Sequence, residues 1–315
     1  MRTTTARRRL LAATALLPVL ALAACGSDPK IAGAAGAGGP AATATEDVVA
    51  GLAKSEAAAA LLPEELRKGG TLKFGSSFGA PPSAFYSDQA SRKPAGIDVD
   101  FGDAVAKLLG LTVQREAAAF ETILPALDSG KFDVGTGNFG VTTARLRTVD
   151  FVTYIDDGQG FAVKRDNTAI QPVTDLLQLC GLTVGTGAGT TFETTLNSRK
   201  NICADAGKKP YEVKAFSESG AVLTSLQQGR VDIEMSTING LRHQAAQEAS
   251  GTRFLGEFHR LDVGFALKKG SKLAPALQAA VNQLIKDGTY ERILRKYGVA
   301  ESAIEESQIS PPEHT

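Results

Sequence analysis

The feature that most constrains this chain is a repeated alternation of short strands and helices from Thr71 to Tyr297. Thr71–Gly75 alternates apolar and polar residues, the period of a strand with one face buried. After a loop over Ala80–Asp88 that carries Pro81-Pro82, a helix is predicted over Asp98–Leu109. Val99, Phe101, Val105, Leu108 and Leu109 share one face of it, and Gly110 closes it as a C-cap. Strands at Thr112–Arg115 and Phe132–Gly135 flank a helix over Phe120–Ser129, which Gly130 stops. Further strands are predicted at Gly160–Lys164, Thr183–Gly185, Glu212–Ala215, Val231–Met235 and Val263–Lys268. Helices at Thr190–Asn197, Glu218–Gln228 and Asn239–Ala249 lie between them, and Leu273–Tyr297 is a long helical stretch with Gly288 inside it. Glu46–Arg67 also reads as helical, with a break at Pro63. Repeated βα units of this kind predict an α/β fold with mainly parallel sheets. Periodicity does not set the number of sheets.

The start of the chain reads as an address. Arg2, Arg7, Arg8 and Arg9 precede an apolar run, Leu10–Ala24, that is shorter than the ~20 residues a membrane-spanning helix needs. A basic start, an apolar middle and small residues before a cut describe a secretory signal over residues 1–24; a membrane-anchoring helix is the alternative. Leu22-Ala23-Ala24-Cys25 resembles the lipobox of bacterial lipoproteins, a resemblance that implies cleavage before Cys25 and acylation of its thiol. The Arg7-Arg8-Arg9-Leu10-Leu11 run leaves the twin-arginine export route open beside the general secretory one. Residues 25–45 are mostly Ala, Gly, Thr and Pro, with too little apolar bulk to offset the entropy of ordering, and are expected to be a flexible tether. The expected location is the outer face of the cytoplasmic membrane or a periplasm.

Charge and cysteine usage narrow the rest. The chain carries 34 basic and 34 acidic residues. The four arginines of the signal removed, about 30 basic residues face 34 acidic ones, a balance that argues against a nucleic-acid partner. With Cys25 lipidated, Cys180 and Cys203 remain; in an oxidising compartment they are expected to pair, two separate buried thiols being the alternative. Such a bridge contributes on the order of 3 kcal/mol by loop closure. His243, His259 and His314 are scattered and no metal-ligand spacing occurs, so neither a metal nor another cofactor is expected.

Six motifs in order then carry a resemblance. They are Gly96-Ile97-Asp98-Val99-Asp100-Phe101; the run from Phe120 to Asp133; Thr142-Thr143-Ala144-Arg145 with Val149-Asp150-Phe151; Gly189-Thr190-Thr191; Gly229-Arg230-Val231-Asp232; and the run from Asp287 to Gly298. The chain from Leu66 to Ile304 resembles the polar-amino-acid class of extracellular solute-binding proteins, family 3. The resemblance implies a two-lobed, type II periplasmic-binding-protein-like α/β fold, with two mainly parallel or mixed sheets joined by a two-strand hinge. It implies a first lobe of residues 66–157 and 261–309 and a second lobe of residues 158–260, after an N-terminal extension of residues 46–65 and before a tail of residues 310–315. Hinge positions are expected near Asp157-Gly158 and Arg260-Leu261-Asp262, where closure around a ligand would turn. The implied function is that of a monomeric substrate-binding lipoprotein of an ABC importer. It would capture an amino acid or related small carboxylate between the lobes and deliver it to a membrane permease. A ligand-sensing receptor subunit and an enzyme on the same fold, such as a dehydratase, are the alternatives.

Site residues follow from the same motifs. Arg145 is expected to grip a ligand carboxylate through two parallel hydrogen bonds, a surface arginine being the alternative; Arg147 is expected to be such a surface residue. Gly185-Thr186-Gly187-Ala188-Gly189-Thr190-Thr191 links a strand to a helix whose free N–H groups suit an anion. The resemblance implies that Thr190 and Thr191 hold the same carboxylate from the second lobe. An ordinary βα turn is the alternative, and the spacing matches no dinucleotide fingerprint. Phe120 is expected against the ligand or in the core, with Asn138, Gly140 and Ser77 nearby. The chain departs from the family at Thr237, where an Asp usually pairs with the α-ammonium, and in the loop of Ser77, Ala80 and Ser83, where an aromatic lid is usual. A buried ammonium without an anion is costly. The ligand is therefore expected to keep its carboxylate and to have an altered, blocked or differently placed amine.

Overall fold

The computed structural model describes residues 46–314. The secretory signal, Cys25 and the tether lie outside the described residues. Helix α1 (Glu56–Ala59) begins at Ser55, whose hydroxyl accepts from the Ala58 N–H, and α2 (Glu64–Gly69) begins after Pro63. The remainder of the span expected to be helical, Glu46–Ser55, is turn and coil, its Val48 packed into the core without helical pairing. Strand β1 (Thr71–Ser76) follows, then a small hairpin of β2 (Phe85–Asp88) and β3 (Lys93–Ala95), which the sequence pattern did not reveal. The Pro81–Pro82 peptide before it is cis.

Helix α3 (Ile97–Leu109) buries Phe101, Val105 and Leu109 and ends at Gly110, whose left-handed backbone (φ 71°) lets its N–H reach the Ala106 carbonyl. Phe101 is fully buried against Tyr154 and Tyr290, a burial that contributes roughly 1.5–3 kcal/mol. Strand β4 (Thr112–Ala117), α4 (Phe120–Asp128) and β5 (Val134–Thr136) complete the first run of βα units. The long strand β6 (Val149–Lys164) then leads into β7 (Thr183–Gly187), α5 (Thr191–Ser198), α6 (Ile202–Asp205), β8 (Glu212–Phe216), α7 (Ser219–Gln227), β9 (Ile233–Thr237) and α8 (Ile238–Ala246). A second long strand, β10 (Thr252–Lys268), returns. Gly288, at φ 78°, divides the predicted long helix into α9 (Ala274–Asp287) and α10 (Thr289–Lys296).

The fold is two-lobed, but its hydrogen bonding is continuous. One mixed sheet runs in the order β4-β1-β5-β10-β6-β9-β7-β8. Two sheets joined by two strands were expected; the joining strands, β6 and β10, make them one, because the pair runs antiparallel through both halves from Lys164–Thr252 to Val149–Lys268. The segments expected to hinge lie opposite each other there, Asp157 beside Leu261 and Gly158 beside Arg260. Gly158 sits at φ 152°, and a Cβ on it would stand 2.1 Å from the His259 carbonyl oxygen, so no other residue fits this crossing.

Three apolar clusters fill the molecule. The largest joins α1, α3, α9 and α10 to β1 and the first half of β6, and includes Leu72, Phe74, Phe101, Tyr154, Leu277 and Ile293. A smaller one, with Ile123, Leu127, Phe139 and Phe151, lies under α4. The third belongs to the second lobe, with Phe161, Leu179, Val184, Leu196, Cys203, Ile233 and Met235. The disulfide Cys180–Cys203 closes its edge, with Cα atoms 5.6 Å apart. No described helix is long and apolar enough to cross a membrane.

Candidate functional site

Between the lobes lies a cavity of about 410 Å³. Its first-lobe wall is made by the loop after β1, by Gly137 and Asn138 after β5, by Phe120 at the start of α4, and by Arg145. Its second-lobe wall comes from the turn before α5, the β8–α7 loop, β9 and α8. Ser77, Phe120, Asn138, Arg145, Thr190, Thr191 and Thr237, all singled out in the sequence, line this one space. Gly140 does not line it. It is buried behind Arg145, with the Leu261 side chain 3.0 Å from where a Cβ would stand, and its carbonyl accepts from Arg145 Nη1 at 3.0 Å.

Arg145 is half-buried in a short 3₁₀ turn, Arg145–Arg147, and Arg147 is exposed. The Arg145 guanidinium stands 5.7 Å from the Phe120 ring centroid and 5.5 Å from that of Phe139, and the two rings stack at 4.6 Å. Its Nη2 donates to the Gly189 carbonyl across the lobe boundary at 3.4 Å. Two of its five N–H groups thus meet backbone carbonyls, and no described acid pairs with it. Burial lowers its pKa to about 10, so the group stays protonated at neutral pH while lacking a counter-charge.

The facing turn is built for close approach. Gly189 lies at φ 71°, and a Cβ on it would be 2.9 Å from Glu121 Cβ of the other lobe. Thr190 is the N-cap of α5: its hydroxyl donates to the Gly187 carbonyl at 2.7 Å and accepts from the Glu193 N–H at 3.2 Å. That side chain is committed to the turn; Thr191, which also lines the cavity, opens α5, whose first backbone N–H groups have no intrahelical partner.

Asn138 adopts a left-handed conformation (φ 54°) held by two buried acids. Its backbone N–H donates to Asp98 and its Nδ2 to Asp157, at 3.0 and 2.7 Å. Asp98 also accepts from the Tyr154 hydroxyl, and Asp157 from the Asn239 N–H. Burial raises both carboxyls to about 6 despite these bonds. The Asn138 Oδ1 is buried without a partner. Thr237 is the N-cap of α8, its Oγ1 accepting from the Gly240 N–H at 2.9 Å.

Several lining residues were not anticipated: Phe192, Phe216, Leu223, Glu234, Ser236, His243 and Gln244. The aromatic residues that follow the loop after β1 do not line the cavity. Tyr86 stacks on Phe78 at 4.5 Å and Phe85 packs against the core. Among the described residues, no group of three or more His, Cys, Asp or Glu side chains suits a metal ion.

A two-lobed α/β fold with a cavity between the lobes and an uncompensated arginine in its wall defines a small-molecule binding protein. The chain matches the sequence profile of the bacterial extracellular solute-binding proteins, family 3, over residues 72–300, and it belongs to that family. The arginine-binding protein ArgT of Corynebacterium glutamicum is 29% identical over 80% of this chain and 82% of its own length. The L-cystine-binding protein TcyJ of Escherichia coli is 28% identical over 79% and 91%. Among solved structures, an ancestral arginine-binding protein bound to arginine is 33% identical, covering 72% of this chain and 98% of its own, with a TM-score of 0.65. The ancestral amino acid-binding protein AncCDT-1, a precursor of cyclohexadienyl dehydratase, is 27% identical with a TM-score of 0.66, covering 74% and 98%.

Proposed function

We propose that this protein is the substrate-binding lipoprotein of an ABC importer. It captures an amino acid or closely related carboxylate and passes it to a membrane permease. The observation that carries the capture step is Arg145: a protonated, half-buried guanidinium in a cavity wall, with no acid among the described residues to neutralise it. A carboxylate ligand completes it, and the open N–H groups at the start of α5 favour the same charge from the opposite wall. The relatives named as arginine-, cystine- and amino-acid-binding proteins support this ligand class.

Closure is assigned to the β6–β10 crossing at Asp157-Gly158 and Arg260-Leu261, the boundary between a first lobe of residues 66–157 and 261–309 and a second of residues 158–260. Export and anchoring rest on the basic and apolar start and on Cys25. The protein acts as a binding partner and not as an enzyme. Glu234 is the single carboxylate side chain among the described residues of the cavity wall, and its bonded partner, Gln244, moves no proton.

The test is uptake of a radiolabelled amino-acid mixture by the cells that naturally carry the gene, with and without its deletion. Arg145→Ala is expected to abolish the uptake that depends on this protein. Cys25→Ala is expected to move the protein from the membrane fraction to the soluble one. Uptake unchanged by deleting the gene contradicts the import reading.

A further inference from the structure

The cavity has a second polar end, deep in the second lobe. Glu234 lines it and is 5% exposed. Its Oε2 accepts from Gln244 Nε2 at 2.9 Å, and no described cation pairs with either oxygen. Gln244 is itself set by Thr252, whose hydroxyl bonds to that of Ser250. The acid is therefore held in place by neutral groups, without a counter-ion, in a wall that faces open space.

Its depth follows from register. β9 runs antiparallel to β6, with Thr237 opposite Gln159 and Glu234 opposite Ala162. β6 enters the second lobe at Gly158, so Glu234 lies three residues, about 10 Å, further from the lobe boundary than Thr237. Phe192, Leu223, Met235 and Leu241 also line the cavity and give it apolar surface. Near the boundary the wall offers an ammonium no acid: Asn138 and Thr237 line it there, and the Thr237 hydroxyl is already engaged by the Gly240 N–H.

We propose that Glu234 is the cation site of this cavity, and that the ligand is a carboxylate bearing an ammonium or guanidinium at the far end of an apolar stem. This rests on the carboxylate-receptor reading of Arg145. The two ends then complement a zwitterion: Arg145 takes the carboxylate, the apolar wall takes the stem, and Glu234 with Gln244 takes the cation. An unpaired buried acid becomes one half of a hydrogen-bonded ion pair. Any proton that Glu234 holds before binding leaves to solvent as the cation docks.

The test is titration calorimetry of the purified protein with L-arginine against L-citrulline, alike in shape and different in charge, and with L-lysine against L-norleucine, which keeps the stem and lacks the terminal ammonium. At least one cationic member is expected to bind about 100-fold tighter than its neutral counterpart. Glu234→Gln keeps the shape of the site and is expected to remove most of that preference. The wild type is expected to release a fraction of a proton on binding, seen as a dependence of the heat on the buffer, and the variant none. Preference for the neutral members, or preference for the cationic ones retained in Glu234→Gln, overturns the assignment of Glu234. If that binding still requires Arg145, the carboxylate-receptor reading survives. No binding by any of the four, or binding indifferent to Arg145→Ala, overturns both.

Discussion

At the lobe boundary the cavity presents a fixed cation and backbone N–H groups; deep in the second lobe it presents a single acid among neutral side chains. The first end is assembled from both lobes, Arg145 reaching the Gly189 carbonyl of the facing turn. The second end is built within the second lobe, Glu234 on β9 and Gln244 on α8 with Thr252 of β10 behind them. The difference separates two tasks. In the proposed closure, a group shared by both lobes would couple ligand capture to the motion, because its full set of partners exists only when the lobes meet. A group held within one lobe would keep its geometry through that motion and select among ligands without driving it.

Removing the shared cation should have the largest effect. Arg145→Ala is expected to weaken carboxylate binding by roughly 1000-fold, measured by calorimetry, because it deletes one half of a buried charge pair. Arg145→Lys should recover a part of this, since an ammonium supplies charge without the planar fork. Equal affinities for Arg145→Ala and wild type would erase the distinction between the ends.

The acid end should respond to pH. Burial raises Glu234 from 4.5 to about 7, so the folded, ligand-free protein holds this proton more tightly than the unfolded chain. Its contribution favours folding below pH 4.5 and is lost as pH rises through about 7, and Asp98 and Asp157 act in the same direction up to about 6. The melting temperature of the ligand-free protein is therefore expected to fall by a few degrees between pH 5 and pH 7.5, with a shallower fall in Glu234→Gln. Affinity for a cationic ligand should run the other way and rise over pH 6 to 8 as Glu234 ionises. Of the other titratable groups in the wall, Arg145 stays charged throughout, and burial holds His243 below its usual value.

Thr237→Asp sharpens the comparison from the other side. It places an anion at the lobe boundary and preserves the N-cap of α8, since Asp caps as well as Thr. Affinity for simple α-amino acids such as L-alanine is expected to rise by about 10-fold. The smallest effect on binding belongs to the disulfide, which touches neither end. Replacing Cys180 and Cys203 by Ser should lower stability by about 3 kcal/mol, read as a fall in melting temperature, with affinity unchanged.

The boundary end was legible in the sequence because its parts are local. Arg145 closes a short motif after a strand, and the glycine-rich turn before α5 announces an open helix start. The α/β class was equally plain from alternating periods. What stayed hidden depends on distant partners. Val149–Gln159 and Thr252–Asp262 carry Asp156, Asp157, His259 and Arg260, which mask strand periodicity; they are strands because they pair with each other. Alternation places Glu234 on the face of Ser236, but whether that face meets core or cavity is decided by the packing of α7 and α8. Thr190 and Thr237 were legible as cavity residues, whereas their use as helix caps, which commits their hydroxyls, emerged only from the fold.

The central claim is that the cavity captures a carboxylate through Arg145. The most direct measurement is thermal melting of wild type and Arg145→Ala side by side against a panel of amino acids and small carboxylates. A ligand at about 100 times its dissociation constant should raise the wild-type midpoint by roughly 5–10 °C and leave Arg145→Ala unmoved. An equal rise in both proteins would contradict the account.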